Sequence, residues 1–317
     1  MQPLITIMLP VYNGKPYLRA AIESVLNQTE TNFEFLILDD NSTDGSLEYL
    51  ESLQDSRLTL YKNDINKGLF YNLNFLIQKS NTQFLKLWAQ DDIMYDDCLS
   101  SFIDFHKQYP GIGFSYSGRT IIDEKGNTSP IKTFDNTPTV ISPELHARIV
   151  FYTGSIAGNI SNVCINKKAL KEVGLFKENM KISADFDMWV RLAEKYETGF
   201  IKKPLIYLRD HDKQLSRVAG LYINHVKEDM IIYRNLLGYV SPEVAKEGRA
   251  MLRNHKFVFY YTLMVKELLK GNFKNTTLFY KELSKMDNIF MLSIVFIKAK
   301  LFKPTKPALL HITSQRL

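Results

Sequence analysis

Six aspartates stand in three short groups: Asp39 and Asp40 in "LDDNS", Asp91 and Asp92 in "AQDDIM", Asp185 and Asp187 in "ADFDMW". Clustered carboxylate oxygens suit Mg2+ or Mn2+, which bind through a few carboxylates while substrate phosphates and water fill the other positions. A metal-binding pair reads more comfortably as Asp-x-Asp, and where its first acid would stand the chain has Ala89. Taken singly, each "DD" is also what a turn or a helix cap looks like. Taken jointly they point elsewhere, because two of the pairs close apolar runs that read as strands of one sheet.

The elements that would position these groups alternate. Apolar runs at 4–9, 33–38, 58–63, 83–88 and 112–118 read as strands, and helical patterns fall between them at about 13–28, 45–53, 68–80 and 95–109. In the first helix Pro16 sits near the start, and Leu18, Ile22, Val25 and Leu26 share a face. This order predicts an α/β fold with a mostly parallel sheet covered by helices on both faces. Ligands then bind beyond the carboxyl ends of the strands, where the chain carries Tyr12 and Asn13, Asp39 and Asp40, Asp64 and Asn66, and Asp91 and Asp92. "PVYNG" has a single glycine, so neither a dinucleotide fingerprint nor a phosphate loop follows the first strand.

From 120 to 210 the pattern is mixed. "NVCINKKALKEVGLF" reads as a strand and a short helix ended by Gly174, 184–197 as an amphipathic helix, and 204–217 as a strand running into a polar loop. Ser241-Pro242 opens a long helix that stops near Gly271, and another follows at 273–286. The expected organisation is a catalytic domain over 1–218 and a helical region over 219–317.

The 317 residues are 45% hydrophobic and 23% charged, an ordinary globular composition. Cys98 and Cys164 lie far apart in apolar surroundings and read as reduced core residues, which favours a cytoplasmic location. The start lacks a secretory signal, and no apolar run is long enough to span a bilayer. The net charge of +6 is uneven: residues 246–317 hold 14 Lys and Arg against 4 Asp and Glu, leaving −4 on the rest. A basic tail bearing "IFMLSIVFIKAKLF" suits an anionic membrane surface, with packing as a subdomain or a homodimer contact as the alternative. No nucleic-acid-binding motif is present.

The stretch from "ITIMLPVYNG" to "LDDNSTDGS", continued by "NKGLFYNLN", "LKLWAQDDIMYDDCL", "NKKALKEVGLFKE", "ADFDMWVRLA" and "YLRDHDKQLS", resembles the family 2 glycosyltransferases across about residues 3–217. The resemblance implies a GT-A fold, an inverting mechanism and a bacterial cell-surface polysaccharide type of enzyme. It implies a nucleotide diphosphate sugar donor, UDP-linked, and a glycan or lipid-linked acceptor. Pro10, Tyr12, Asn13, Asp39 and Asp40 would hold the nucleotide, with Tyr12 against the base and Asp40 accepting from a uracil-type imide N–H. Asp91 and Asp92 would divide the ribose and a Mn2+ or Mg2+ ion between them, with His211 reaching the diphosphate or the metal. Asp185 would be the catalytic base, its other reading being an acid favoured by a helix N-terminus. Trp189 and Asp187 are the acceptor-side candidates, with a core tryptophan as the alternative for Trp189. Arg209 and Arg217 are further basic candidates for the diphosphate. Two departures stand out: Ala89, and Leu73 where many relatives carry Arg. Loss of catalysis, leaving a nucleotide-sugar or glycan-binding module, is the reading that competes with an enzyme.

Overall fold

The computed structural model describes residues 2–129, 136–212, 214 and 222–301. Arg217 and the tail beyond Leu301 lie outside them. The first half follows the expected alternation: β1 (Ile5–Val11), α1 (Lys15–Leu26), β2 (Phe33–Asp39), α2 (Ser46–Glu51), β3 (Leu58–Lys62), α3 (Leu69–Lys79) and β4 (Phe84–Leu87). β1 runs parallel to β2 from Ile5↔Phe33 to Val11↔Asp39 and parallel to β4 from Ile5↔Phe84 to Met8↔Leu87. Pro10 lies beyond the β4 pairing, so its missing N–H costs no ladder bond on that side.

Next come β5 (Ile93–Met94), α4 (Cys98–Gln108), β6 (Ile112–Ile122), β7 (Val140–Ile141), α5 (Pro143–Thr153), β8 (Val163–Asn166), α6 (Lys167–Val173), α7 (Ala184–Lys195) and β9 (Glu197–Arg209). The sheet order is β3-β2-β1-β4-β8-β6-β9-β5, with β7 also on β9. β8 is antiparallel to both β4 and β6, whereas β9 returns parallel to β6. The sheet is therefore parallel around β1 and mixed beyond β4.

The strands explain the two layers. In β1, Ile5, Ile7 and Leu9 join α1 and α4 in one core, while Met8 faces the other with α3. β2 divides likewise, Phe35 and Ile37 against Leu36 and Leu38, the two-residue period of a strand buried on both faces.

The second core continues without a break into the C-terminal helices α8 (Tyr222–Tyr239), α9 (Pro242–Leu252), α10 (Val258–Leu269), α11 (Phe273–Ser284) and α12 (Ile289–Leu301). The predicted long helix is α9 and α10 joined through a π-helical turn at Arg253–Phe257. Ser241 caps its start by accepting the Val244 N–H, and Gly271, at φ 74°, follows its end. Among the described residues no helix is long and apolar enough to cross a membrane.

Candidate active site

The parallel strands β1, β2 and β4 bring three polar loops to one sheet edge. Asn13 (φ 50°) and Asn41 (φ 64°) turn the chain there in the left-handed region that asparagine tolerates. The loops are stitched together. The Asn13 N–H donates to Ser42 Oγ (3.0 Å), Asn13 Oδ1 accepts the Thr43 N–H (2.8 Å), and the Gly14 N–H donates to Ser46 Oγ (3.0 Å). Asp44 joins the same network: its Oδ1 accepts the Ser46 N–H (3.0 Å) and its Oδ2 the Lys15 N–H (3.0 Å).

Tyr12 is 49% exposed, open to a planar ligand. Its backbone is fixed by Gln90, whose Oε1 accepts the Tyr12 N–H (2.9 Å) and whose Nε2 donates to the Tyr12 carbonyl (3.0 Å). Sequence reasoning passed over Gln90; its place inside "AQDD" was the available signal.

Asp39 and Asp40 are both buried. Asp39 Oδ2 accepts the Ser42 N–H, and Asp39 Oδ1 has no hydrogen-bond partner among the described residues. Asp40 accepts three N–H groups, from Lys67 and the Asn63 amide on Oδ1 and from Gly68 on Oδ2. Gly68 adopts φ 88°, which only glycine takes without strain, and Asp40 ties the loop before α3 to the sheet edge.

The end of β9 closes this edge. His211 Nε2 lies 2.9 Å from Asp91 Oδ2, and its ring is 5.1 Å from that of Tyr17. His211 Nδ1 is buried without a hydrogen-bond partner among the described residues. A buried polar atom left unpaired next to a partly exposed carboxylate suits a site completed by a ligand. Asp91 and His211 offer one carboxylate and one imidazole, a fitting pair for Mg2+ or Mn2+ when diphosphate oxygens and water supply the rest. Among the described residues no cluster of three or more His, Cys, Asp or Glu could hold an ion by itself.

Asp92 does not belong to that pair. It is 2% exposed, and its Oδ1 accepts the Arg209 N–H (2.9 Å). Burial, and then the charge of Asp91, push its carboxyl up to about 7. Asp92, expected at the metal, instead holds the end of β9 to the loop that follows β4. Arg209, a basic candidate for the diphosphate, is also occupied: its guanidinium donates to the carbonyls of Asp91, Asp123 and Glu124 and lies over the Tyr17 ring. Leu73 is fully buried in the core.

α7 separates its two acids. Asp185, on its first turn, is partly exposed, and its carboxyl is raised to about 7, by burial first, with the charges of Asp229 and Glu228 adding to it. Asp187, two residues on, points the other way and is 2% exposed. It binds Lys177 Nζ (2.6 Å) and Arg191 Nε (2.6 Å), an internal ion pair that leaves it no acceptor to meet. Trp189 is likewise corrected: it is fully buried, stacked on Phe114 at 5.1 Å and edge-on to Phe176. Both expectations failed because they fall on the inward face of α7, with Met188, Leu192 and Ala193.

Comparison with known proteins gives the family and the fold. The chain is 28% identical over 265 residues to an uncharacterized glycosyltransferase of Rickettsia typhi, covering 81% of this chain and 78% of that one. It spans only 39% of a longer glycosyltransferase of Rickettsia felis. It is 29% identical over 198 residues to the putative colanic acid biosynthesis glycosyl transferase WcaA of Escherichia coli, covering 61% and 67%. The structure of S. aureus TarS 1-349 in complex with UDP matches with a TM-score of 0.68 at 16% identity, over 98% of this chain and 96% of that one, which fixes the fold as GT-A. The family model "Glycosyl transferase family 2" matches residues 6–174, more than half of the chain, and the protein belongs to that family of glycosyltransferases.

Proposed function

We propose that the protein is an inverting transferase that moves a sugar from a UDP-linked donor to a hydroxyl of a glycan or lipid-linked acceptor, with Asp185 as its base. The observation that carries this reading is the place of Asp185, partly exposed on the first turn of α7, with a carboxyl that burial raises to about 7. A sugar hydroxyl is a poor nucleophile until its proton is removed during attack, and a base works best with a pKa near the working pH. In the proposed step the hydroxyl proton passes to Asp185, the acceptor oxygen bonds the anomeric carbon, and the carbon–oxygen bond to the diphosphate breaks on the opposite face. The oxocarbenium-like character expected of the transition state follows from that bond breaking.

On the donor side, Tyr12 would lie against the base, and Asp40 has one of its roughly four lone-pair directions left for an imide N–H. Asp91 and His211 would hold Mn2+ or Mg2+, which supplies charge neutralisation for the departing diphosphate. Support comes from structures of TarS described with UDP and with UDP-GlcNAc, and from a Pyrobaculum calidifontis mannosyltransferase described with GDP-Man and Mn2+. WcaA and the putative Bacillus subtilis glycosyltransferase EpsE are bacterial relatives, WcaA named for polysaccharide synthesis.

For the acceptor side we propose contact with the inner face of the cell membrane. Leu268, Leu269 and Phe273 are 47%, 82% and 68% exposed at the α10–α11 turn, interleaved with Lys266, Lys270 and Lys274. Phe290, Ile297 and Leu301 of α12 are exposed beside Lys298 and Lys300. Apolar side chains set among lysines match an anionic bilayer surface.

The test is sugar transfer from a panel of nucleotide sugars, with and without EDTA, for the wild type and Asp185→Asn. Turnover of a UDP-sugar that is lost in the variant and on chelation supports the reading. Wild-type turnover by Asp185→Asn removes the base, and donor binding without turnover of any acceptor leaves a binding module. Flotation with anionic and neutral vesicles tests the membrane surface, which fails if neither vesicle retains the protein.

A further inference from the structure

We infer that Glu228 and Asp229, adjacent acids of α8, are positioning residues for the transfer: they hold the start of α7 in place and set the charge around Asp185. The inference rests on the reading of Asp185 as the base.

α7 has no cap of its own. Ser183 stands at its N-cap without a side-chain bond to the first turn. The chain entering it is gripped instead by α8, more than 40 residues later. The Glu228 carboxylate accepts three successive backbone N–H groups, from Lys181 (2.8 Å), Ile182 (3.0 Å) and Ser183 (2.7 Å). Asp229 Oδ1 takes the Ser183 hydroxyl (3.0 Å), and Oδ2 takes the Tyr260 hydroxyl from α10. Glu228 and Asp229 are 8% and 6% exposed. Five donors thus converge on two buried carboxylates two residues before Asp185. Buried acids are costly unless their oxygens are satisfied in this way.

Among the described residues, the basic groups around these acids are few or engaged elsewhere. From α8, His225 faces Ser183 Oγ at 3.4 Å, and burial lowers its pKa. Tyr233 and Tyr260 are neutral phenols, raised well above their usual value by burial. Lys256, in the π-helical turn, lies over the Tyr260 ring, and its charge is felt by His225. From the α7 side, Lys177 and Arg191 are paired with Asp187. Lys181 is exposed.

The chemical consequence is specific. A helix N-terminus ordinarily lowers the pKa of an acid in its first turn. Here two carboxylates sit at that end, offset the helix field and keep Asp185 basic enough to take a proton near neutral pH. The same bonds fix the direction in which α7 presents it. The C-terminal helices are thereby part of the catalytic apparatus, joined to it by Glu228, Asp229 and Tyr260.

The test uses the full chain with the donor and acceptor that the wild type turns over. Asp229→Asn removes one charge and keeps the shape; the acid limb of its kcat/KM profile should move about half to one pH unit lower. Glu228→Gln loses the anionic acceptor for three N–H groups, and its kcat should fall about tenfold with donor KM within about twofold. Ser183→Ala should lower kcat severalfold and Ser183→Thr restore it, a comparison that survives if the acidic variants do not fold. An unmoved acid limb in folded Asp229→Asn, a donor KM that rises in step with the loss of kcat in Glu228→Gln, or a Ser183→Ala enzyme with wild-type kcat each overturns the inference. Asp185→Asn runs in parallel: full turnover there brings down the base assignment instead, whatever the α8 variants do.

Discussion

Asp185→Asn should make the protein more stable as it makes the enzyme inactive, and the stability gain should depend on pH. The folded carboxyl sits at about 7 against 3.8 for an ordinary aspartate. Its folded pKa is raised, so between these values the unfolded chain has released a proton that the native state still holds. Stability is therefore lost as pH rises from about 4 to about 7, and the loss then stays constant. At about 1.4 kcal/mol per pH unit the ceiling is roughly 4 kcal/mol. Solvent reaches the side chain and screens part of this, so about 2 kcal/mol is expected, or about 4 °C in Tm. Asparagine removes the ionisation and can still accept the Phe186 N–H that Asp185 Oδ1 now takes. Asp92 titrates in the same range but is common to both proteins and cancels in the difference. Thermal melts of wild type and variant from pH 4.5 to pH 8.5 measure the gap, which should be about a quarter of its full size at the acid end and nearly full above pH 7. Turnover of the variant should fall by on the order of 10²–10⁴. A gap of constant size across that range refutes the raised pKa.

Other substitutions separate residues that serve the site from those that serve the core. Gln90→Ala removes both bonds to the Tyr12 backbone and should raise the donor KM about three- to tenfold with little change in Tm; an unchanged donor KM would deny Gln90 that role. Asp187→Ala strands Lys177 and Arg191, and urea unfolding should report a loss of about 2–3 kcal/mol, moderated by their partial exposure, while acceptor KM stays put. Trp189→Phe should cost about 1–2 kcal/mol from lost packing against Phe114 and Phe176, and a clear rise in acceptor KM would return Trp189 to the acceptor site.

The half of the fold around β1 was legible because its strands are apolar on both faces and its helices carry one-sided stripes, both local patterns. β5 and β7 were missed: each is two residues long and exists only because β9 offers an edge. α5, in the stretch left as mixed, was also missed, although Ser142-Pro143 is the same opening signal as Ser241-Pro242. Among the candidate residues, Tyr12, Asp39, Asp40 and Asp91 stand at the sheet edge where strand order places loop residues, whereas His211 was named only through the family resemblance. Asp187 was misread although Arg191, four residues on, spelled an ion pair across one helical turn. Nothing local could have singled out Glu228 and Asp229, since "HVKEDMII" looks like a charged helix surface until α7 is laid against it.

The π-helical turn at Arg253–Phe257 governs what α10 presents. One residue beyond regular α-helix advances every later side chain by about 100° around the axis. Phe257 and Tyr260 owe their inward bearing, and Tyr260 its reach to Asp229, to that single surplus residue. Arg253 clamps the turn from outside through its two bonds to Asp287, at the mouth of α12. Excising one residue between Arg253 and Phe257 would leave a straighter helix of unchanged composition, yet its phase would be wrong from there to Leu269. The tyrosine would swing away from its carboxylate, and the lysines and leucines of the α10–α11 turn would trade sides. One inserted residue thus keeps the inner and outer faces of this helix in register with their separate tasks.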